Sequence, residues 1–208
     1  MKLKKLVAIT LSAVMCMAAL TGCGGKSDSA KKTAKVIEVD LTDEQYAFGV
    51  DKDQPDLLKE VNQFVKDMKS DGTFDEICNR YFGDGTPVPV KSAAYDESKD
   101  QWVVATNAAF EPFEYMDGEN YVGIDMEIAK ALADKLGKEL VIQNMDFDAV
   151  CLSVGQHKCD VAMAGLTIKP DREEYVAFSD PYYSASQKLI TLSTDTEFDA
   201  CKTADDVS

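Results

Sequence analysis

The sequence predicts an α/β domain in which helices flank a mostly parallel sheet. Three apolar runs of strand length, WVVATN (102–107), ELVIQ (139–143) and CDVAMAG (159–165), alternate with segments of helical spacing at 125–136 and 147–156. Strands and helices that alternate in this order are typical of βαβ units, whose strands run parallel. The chain is long enough to bury one core of ordinary domain size.

The first part of the chain that predicts folded structure is a short strand followed by a helix. QYAFGV (45–50) is an apolar run suited to a strand. A helix begins near Pro55, because proline is favoured at the first helical position, and its apolar stripe ends at Gly72.

A second helix and a connector follow. Thr73 and Glu76 have the spacing of a capping box, which predicts a helix start, and the apolar face of this helix extends to Phe82. Residues 84–101 are polar, contain prolines and show no period, so we interpret them as a connector.

The remaining segments lie between and after the strands of the α/β part. Residues 108–123 predict a loop, and the helix at 125–136 ends at Gly137. LTIKPDREEYV (166–176) predicts a loop with a short helix, and QKLITLS (187–193) predicts a final strand.

The N-terminus predicts an exported, lipid-anchored protein. A basic start precedes the apolar run Leu6–Leu20, which is too short for a comfortable membrane span and is typical of a signal peptide. It ends in LTGC, so we expect residues 1–22 to be removed and Cys23 to be lipidated. An ordinary signal with a chance cysteine is the alternative. Residues 23–40 predict a flexible tether.

Charge and cysteine usage limit the partners. The formal charge is −15, and removal of the signal takes it to −18, which argues against nucleic-acid binding. Outside the cytosol disulfides are permitted, and the four remaining cysteines allow three complete pairings that the sequence does not distinguish. They are Cys78, Cys151, Cys159 and Cys201.

The usual enzyme motifs are missing from the sequence, which has no GxSxG, P-loop, HExxH or strand-linked GxGxxG. With one histidine, His157, and no CxxC pair, we expect no metal site, no cofactor and no catalysis. We assign His157 no role and expect it to be exposed in a loop.

Three loops remain as candidates for a binding site, because ligands bind at the carboxyl ends of strands in an open α/β sheet. They offer two aromatic plates, backbone donors, a hydroxyl and a guanidinium, a set that could hold a free amino acid by its α-carboxylate. The residues are Asn107, Phe110 and Phe113 in the first loop, Phe147 in the second, and Gly165, Thr167 and Arg172 in the third. Each type is also common as a core, turn or surface residue, and those alternatives stay open on spacing alone.

An ordered set of motifs within 102–193 resembles one family, the extracellular solute-binding proteins of family 3, which serve ABC transporters for polar amino acids. The motifs are Pro112-Phe113-Glu114, Gly123-Ile124-Asp125, Asp160-Val161, GLTIKPDR (165–172) and FSDPYY (178–183). The resemblance implies one lobe of a type II periplasmic-binding fold, a free polar amino acid as ligand, and permease subunits as partners of a monomeric receptor.

The resemblance also implies a role for each site residue. Phe110 corresponds to an aromatic that stacks on the ligand side chain, and Phe147 to the opposite wall. Gly165 and Thr167 correspond to positions that bond the ligand carboxylate, Arg172 pairs with it, and Ala164 lines the site through its backbone. Asn107 stands where many members carry Asp.

The order of the segments departs from the family's order. Residues 41–83 resemble the family's C-terminal end, so we expect a circular permutation: 41–83, the connector 84–101 and 102–193 form lobe 1, and 194–208 starts the crossing to a missing lobe 2. The expected function is a lipid-anchored amino-acid receptor on the extracytoplasmic face of the membrane. A sensory module, a dehydratase-like enzyme and a truncated non-functional fragment are the alternatives.

Overall fold

The computed structural model of the protein describes residues 33–207. The predicted signal 1–22, the lipidation site Cys23 and residues 24–32 of the predicted tether lie outside these residues. The rest of the predicted tether, 33–40, is not a flexible linker, because it contains a paired strand at Ala34–Val36 and the buried side chains of Ile37 and Val39. The helices are α1 (Pro55–Asp71), α2 (Thr73–Phe82), α3 (Ile124–Leu136), α4 (Phe147–Gly155) and α5 (Pro170–Glu173), with a 3-10 turn at Ala204–Asp206. No helix within 33–207 is long and apolar enough to cross a membrane.

The strands are short, and most belong to one central sheet or to small sheets beside it. They are β1 (Ala34–Val36), β2 (Glu44–Tyr46), β3 (Gly49–Asp51), β4 (Gln101–Thr106), β5 (Ala109–Phe110), β6 (Glu114–Asp117), β7 (Asn120–Val122), β8 (Glu139–Asn144), β9 (Val161–Ala162), β10 (Val176–Phe178), β11 (Tyr183–Ala185) and β12 (Ile190–Leu192).

The central sheet has the strand order β10-β3-β9-β4-β8. β4 pairs in parallel with both β8 and β9, whereas β3 pairs antiparallel with both β9 and β10. The α/β class is therefore confirmed, and the sheet is mostly parallel because β10, β9, β4 and β8 run in one direction. Only β3, from the segment before α1, runs in the opposite direction within this sheet.

Helices cover both faces of this sheet. In β4 the side chains of Trp102 and Val104 pack with α1, α2 and α3, whereas Val103 and Ala105 pack with α4. This alternation follows from the two-residue period of a strand. All six residues of β4 are buried, as expected for a strand covered on both faces.

The helix ends show which local sequence signals predicted a helix boundary correctly. α1 starts at Pro55 and ends before Gly72, whose φ is 90°, and α3 ends before Gly137, whose φ is 68°. Both ends confirm the predictions, because glycine adopts this left-handed conformation without a Cβ clash. The capping box at Thr73 is wrong: Gly72 is the N-cap, and the Thr73 N–H donates to Asp71 Oδ1 at 2.9 Å.

Residues 84–100 contain no regular helix or strand, and the segment is tied to the domain along its length. Val90 is buried and exchanges two backbone hydrogen bonds with Tyr121, of 2.7 and 3.0 Å. Further on, the N–H of Ala93 donates to the C=O of Leu140 at 2.9 Å. The segment therefore lies against β7 and β8.

Three strand predictions need correction. Residues 108–123 are not a plain loop, because β5, β6 and β7 form a three-stranded meander there. The predicted strand at 45–50 is split into β2 and β3, and β10 was missed. These strands have two to four residues each, too few to show a period.

The predicted final strand does not join the central sheet. β12 pairs antiparallel with β1, and β11 pairs antiparallel with β2, so the segments 33–46 and 183–193 form two ribbons side by side. At the far end of these ribbons Thr33 and Ser193 share a backbone bond and a hydroxyl–hydroxyl bond, both 2.7 Å long.

The cysteines outside the predicted signal and lipidation site are free thiols in the described residues: Cys78, Cys151, Cys159 and Cys201. Burial raises the pKa of Cys78 to about 12 and the pKa of Cys151 to about 11. The thiols of Cys78 and Cys151 are therefore protonated and unreactive at neutral pH.

Candidate ligand-binding site

The candidate residues follow the carboxyl ends of the parallel strands. Asn107 comes directly after β4, Phe147 begins α4 just after β8, and the loop 164–167 follows β9. Because β4 lies between β8 and β9 and is parallel to both, all three loops emerge at one edge of the sheet. The topology thus brings the predicted loops to a common edge.

Phe110 lies against the backbone of Gly165. Gly165 has φ of +52°, and a Cβ at this position would fall 2.8 Å from Cε1 of Phe110. The ring of Phe110 also stacks on Phe113, with centroids 5.5 Å apart and planes at 15°. Phe113 is buried, whereas 43% of Phe110 is exposed, so Phe110 offers an aromatic surface on a fixed support.

Thr167 presents its backbone to the same edge. It forms an antiparallel bridge with Tyr46. On each side of this bridge, the adjacent residues of the two segments are joined by a backbone hydrogen bond of 3.0 Å. In a bridge of this kind the N–H and C=O of the central pair point away from each other. The C=O of Thr167 accepts a bond of 2.8 Å from Nη1 of Arg172. Since the N–H and C=O of an extended residue point to the same side, the Thr167 N–H is directed to the side of Arg172.

Arg172 is half-buried and is held by two neighbours. Besides its bond to Thr167, its Cζ lies 4.9 Å from the ring centroid of Phe147. The other arginine of the chain, Arg80, is paired with Glu127, but no carboxylate within residues 33–207 forms an ion pair with Arg172. A guanidinium with a free charge therefore stands beside a backbone N–H, which is an arrangement suited to a carboxylate.

Asn107 fixes the shape of its loop. Its Nδ2 donates to the C=O of Met145 at 2.7 Å, and the neighbouring Ala108 N–H donates to Asn144 Oδ1 at 2.9 Å. The amide nitrogen of Asn107 is thus used inside the protein, and the side chain joins the loop after β4 to the residues just before Phe147.

The loop 164–167 is supported from behind by a buried carboxylate that the sequence interpretation missed. Ala164 is buried, and the Gly165 N–H donates to Asp125 Oδ2 at 2.9 Å, so this N–H does not point to a ligand carboxylate as the resemblance implied. Tyr182 donates its hydroxyl to Asp125 Oδ1 at 2.5 Å. Burial raises the pKa of Asp125 to about 6, and these two bonds counteract part of that rise. The signal for this residue was its place in the Gly-Ile-Asp motif.

A second carboxyl group, Glu114, lies behind the loops. Its side chain is fully buried, and neither oxygen has a hydrogen-bond partner within the described part of the chain. Burial, together with the negative charge of Asp125, raises the pKa of Glu114 to about 11. Glu114 is therefore a neutral acid at physiological pH.

One cluster has metal-ligand geometry, but it lies at the opposite edge of the sheet. Ligand atoms of Asp51, Asp53 and His157 come within 4.8 Å of one another. Both oxygens of Asp51 are already engaged, by the Asp53 N–H at 2.9 Å and by Nδ1 of His157. His157 is exposed, as predicted, and the pair joins β3 to the end of α4.

The contacts bring the predicted residues together in two groups that meet in the loop 164–167. Phe110 lies on Gly165, and Arg172 contacts both Phe147 and Thr167.

Comparison with known proteins shows that the family model described as "Bacterial extracellular solute-binding proteins, family 3" matches residues 8–84 and 102–203.

The chain belongs to this family. Its members are extracellular proteins of bacteria. One relative, the arginine-binding extracellular protein ArtP of Bacillus subtilis, is 38% identical over 96 residues, covering 46% of this chain and 38% of ArtP. Another, the probable ABC transporter arginine-binding protein ArtJ of Chlamydia trachomatis, is 36% identical over 99 residues, covering 47% and 38%. The chain thus spans about 38% of the length of these relatives.

A further relative of this family 3 protein is an enzyme. The cyclohexadienyl dehydratase of Pseudomonas aeruginosa is 33% identical over 90 residues, covering 43% of this chain and 34% of the enzyme. Among solved structures, the arginine-bound form of domain 1 from TmArgBP is 36% identical, covers 51% of this chain and 92% of that chain, and has a TM-score of 0.40.

Proposed function

We propose that this family 3 protein captures a free amino acid by its α-carboxylate and delivers it to an ABC permease. The observation that carries the proposal is the position of the Arg172 guanidinium, which has no ion-pair partner within residues 33–207. Phe147 and the carbonyl of Thr167 hold this guanidinium beside the N–H of Thr167. Two parallel N–H donors of the guanidinium and one backbone N–H match the acceptor geometry of a carboxylate.

In the proposed complex the ligand side chain extends along the aromatic surface of Phe110, with Phe147 as the opposite wall. Ala164 and Gly165 form the floor, and the absence of a side chain at Gly165 allows the ring of Phe110 to approach it. Asn107 holds the first loop in place. Arginine is the first ligand to test, because ArtP and ArtJ are named for arginine binding.

The same proposal assigns 41–83, 84–101 and 102–193 to one lobe in permuted order. In support, β3 and β4 lie in one sheet, and the core includes side chains from α1, α2 and α3. A second lobe would supply the group that completes the hold on the ligand. Lipidation at Cys23 would keep the receptor at the extracytoplasmic face of the membrane, and replacement of Cys23 by serine should release the protein from washed membranes.

We propose binding rather than catalysis, although one relative is a dehydratase. The carboxyl groups with the strongly raised pKa values, Glu114 and Asp125, are those with the titration properties of a general acid. Both are fully buried behind the ligand loops, so neither can contact a ligand lying on Phe110. Turnover of a cyclohexadienyl substrate by this chain would contradict the assignment.

Titration of the 208-residue chain, followed by its backbone amide NMR signals, tests the proposal. L-arginine should shift the amide signal of Thr167, whereas agmatine, which is arginine without its carboxylate, should bind about tenfold more weakly or worse, the effect of one charge-assisted hydrogen bond or more. Arg172→Gln should reduce the difference between the two ligands, because only the Thr167 N–H then remains for the carboxylate. Lys59→Gln removes an exposed cation of α1 and serves as the matched control. Equal binding of L-arginine and agmatine by the unmodified chain would contradict carboxylate capture.

A further inference from the structure

The cluster of Asp51, Asp53 and His157 has no part in the proposed function, because it lies at the edge of the sheet opposite the ligand loops. Asp51 is the last residue of β3, and His157 follows the end of α4. One ligand atom from each of the three residues lies within 4.8 Å of the others. Segments 106 residues apart in the chain therefore bring an imidazole and two carboxylates together.

Asp51 fixes the orientation of the imidazole from inside the protein. Only 3% of Asp51 is exposed, and its Oδ2 is bonded to Nδ1 of His157. Its Oδ1 accepts a bond of 2.9 Å from the Asp53 N–H. A carboxylate accepts hydrogen bonds and does not donate them, so Nδ1 of His157 carries the proton. In the neutral ring the lone pair is then on Nε2.

The lone pair of Nε2 lies close to a second possible ligand. Nε2 of His157 is 4.0 Å from Oδ2 of Asp53, and both side chains are exposed. Neither atom has a hydrogen-bond partner within residues 33–207. Two ligands of one tetrahedral ion, each bonded at about 2.0–2.1 Å, are about 3.3 Å apart. Rotation of the exposed Asp53 side chain about its Cα–Cβ bond can close this difference.

The ligand types select the ion. An imidazole nitrogen beside a carboxylate suits Zn²⁺, whereas Mg²⁺ and Ca²⁺ prefer oxygen ligands alone. Histidines that bind zinc usually donate their other ring N–H to a carboxylate, which is the arrangement of His157 on Asp51. Lys52, between the two aspartates in the sequence, has its ammonium group bonded to the C=O of Glu174 at 3.0 Å. The formal charge of −15 also attracts cations.

We propose that Nε2 of His157 and the carboxylate of Asp53 bind a Zn²⁺ ion, with Asp51 as the positioning residue behind the imidazole. Water completes the coordination. This site replaces the expectation, drawn from the single histidine, that the chain has no metal site. The ion joins the turn after β3 to the end of α4. Because the unfolded chain does not hold these segments together, zinc binding stabilises the folded state.

Titration of the 208-residue chain with zinc chloride, followed by NMR, tests the site directly. The chain has one histidine, so the ring signals of His157 are unique in the spectrum. Zinc should shift the Nε2 signal and the Asp53 amide signal, while Nδ1 keeps its proton. Magnesium chloride should shift none of them. Ring signals that zinc leaves unchanged, or zinc bound at Nδ1, would overturn the proposal.

Variants separate the ligand from its neighbours. Asp53→Asn removes a charged ligand at an exposed position and should weaken zinc binding by at least the loss expected for an outer-shell partner, about tenfold. Asp56→Asn is the matched control, because Asp56 is an exposed acid three residues further on, and its variant should keep the full affinity. Asp51→Asn should weaken zinc about 10- to 100-fold. Equal zinc affinities for Asp53→Asn and Asp56→Asn would exclude Asp53 as a ligand.

Urea unfolding distinguishes this site from zinc bound by thiols. Zinc should raise the urea midpoint of the unmodified chain and leave that of His157→Asn unchanged. The free thiols are the competing ligands: Cys78, Cys151, Cys159 and Cys201. Zinc held by thiols would raise the midpoint of His157→Asn as well, and that result would overturn the proposal. None of these outcomes depends on whether the chain binds an amino acid.

Discussion

The guanidinium of Arg172 lies over the ring of Phe147, with 4.9 Å between Cζ and the ring centroid. The ring is carried by the first residue of α4 and the guanidinium by the short helix α5. The contact therefore holds a long, flexible side chain in one place at the edge of the sheet, before any ligand arrives. In the proposed complex, this preorganisation would reduce the entropy that ligand binding has to overcome.

Replacement of Phe147 by leucine should weaken amino-acid binding while leaving the fold intact. Leucine keeps an apolar wall but has no ring face for the guanidinium, so Arg172 gains freedom. A cation–π contact at a partly exposed site contributes about 0.5–1 kcal/mol, which predicts a loss of about two- to fivefold in L-arginine affinity by NMR titration. Tyr95→Leu removes an exposed aromatic of the connector and should have no effect. An unchanged affinity for Phe147→Leu would argue against the ring's role.

Gly165→Ala should damage both the fold and the site. Its φ of +52° is strained for alanine, and the added Cβ would lie 2.8 Å from the ring of Phe110. Gly72→Ala is the control, because Gly72 has φ of +90° but an added Cβ would meet no atom within 4 Å. Strain alone should cost about 1–2 kcal/mol in either variant, measured by urea unfolding.

The further effect at Gly165 is displacement of Phe110. The free energy of unfolding should therefore fall more for Gly165→Ala than for Gly72→Ala, and only Gly165→Ala should weaken L-arginine binding. Equal losses of stability with unchanged binding would show that Phe110 moves aside without consequence.

Glu114→Gln should remove much of the alkaline sensitivity of the fold. The folded protein holds the Glu114 proton with a pKa of about 11, whereas the unfolded chain releases it near the ordinary value of 4.5. Between pH 4.5 and about pH 11 the native state therefore binds one proton more than the unfolded chain. The contribution of Glu114 to the free energy of unfolding is complete below pH 4.5 and is lost progressively as the pH rises toward about 11. One proton corresponds to a slope of about 1.4 kcal/mol per pH unit.

Urea unfolding between about pH 5 and pH 9 measures this slope. A glutamine is neutral throughout, so the slope of Glu114→Gln should be smaller than that of the unmodified chain by about that amount. Glu119→Gln, in the turn of the meander, should leave the slope unchanged. Parallel pH profiles for all three proteins would show that Glu114 is ionised in the native state.

Tyr182→Phe should destabilise the loop support more at high pH than at low pH. The hydroxyl of Tyr182 donates to Asp125, and this bond lowers a pKa that burial has raised to about 6. Above pH 6 the variant leaves a buried carboxylate with one donor fewer, at a cost of about 1.5–3 kcal/mol. Below that pH Asp125 is protonated and the cost should shrink. Tyr175→Phe, at an exposed tyrosine, is the control for urea unfolding at about pH 5 and pH 8.

Much of the fold followed from local patterns. The ends of α1 and α3 were predictable because a glycine in the left-handed conformation ends a helix wherever it occurs. β4 and β8 were predictable because each of these six-residue strands contains a recognisable run of buried apolar residues. The loops at their carboxyl ends could be grouped because parallel strands place those ends together.

Two of the errors have a different physical cause. The direction of β3 and the pairing of β12 with β1 depend on partners more than 100 residues away, about which a local period carries no information. The bonds from Gly165 to Asp125 and from Thr167 to Glu44 likewise join distant segments. The roles of the site residues themselves stay predictions, because the contacts position the side chains and a ligand has to test them.

The place of β3 in the sheet also affects synthesis of the protein. Val50 pairs with Val161, so the strand leaves the ribosome more than 100 residues before its neighbour exists. At about 5–20 residues per second this interval is about 5–20 s. During that time the side chains of Phe48 and Val50, fully buried in the finished domain, have no sheet to enter. Phe48 and Val50 therefore cannot reach their final packing until the segment that carries β9 has been translated, a delay set by strand order.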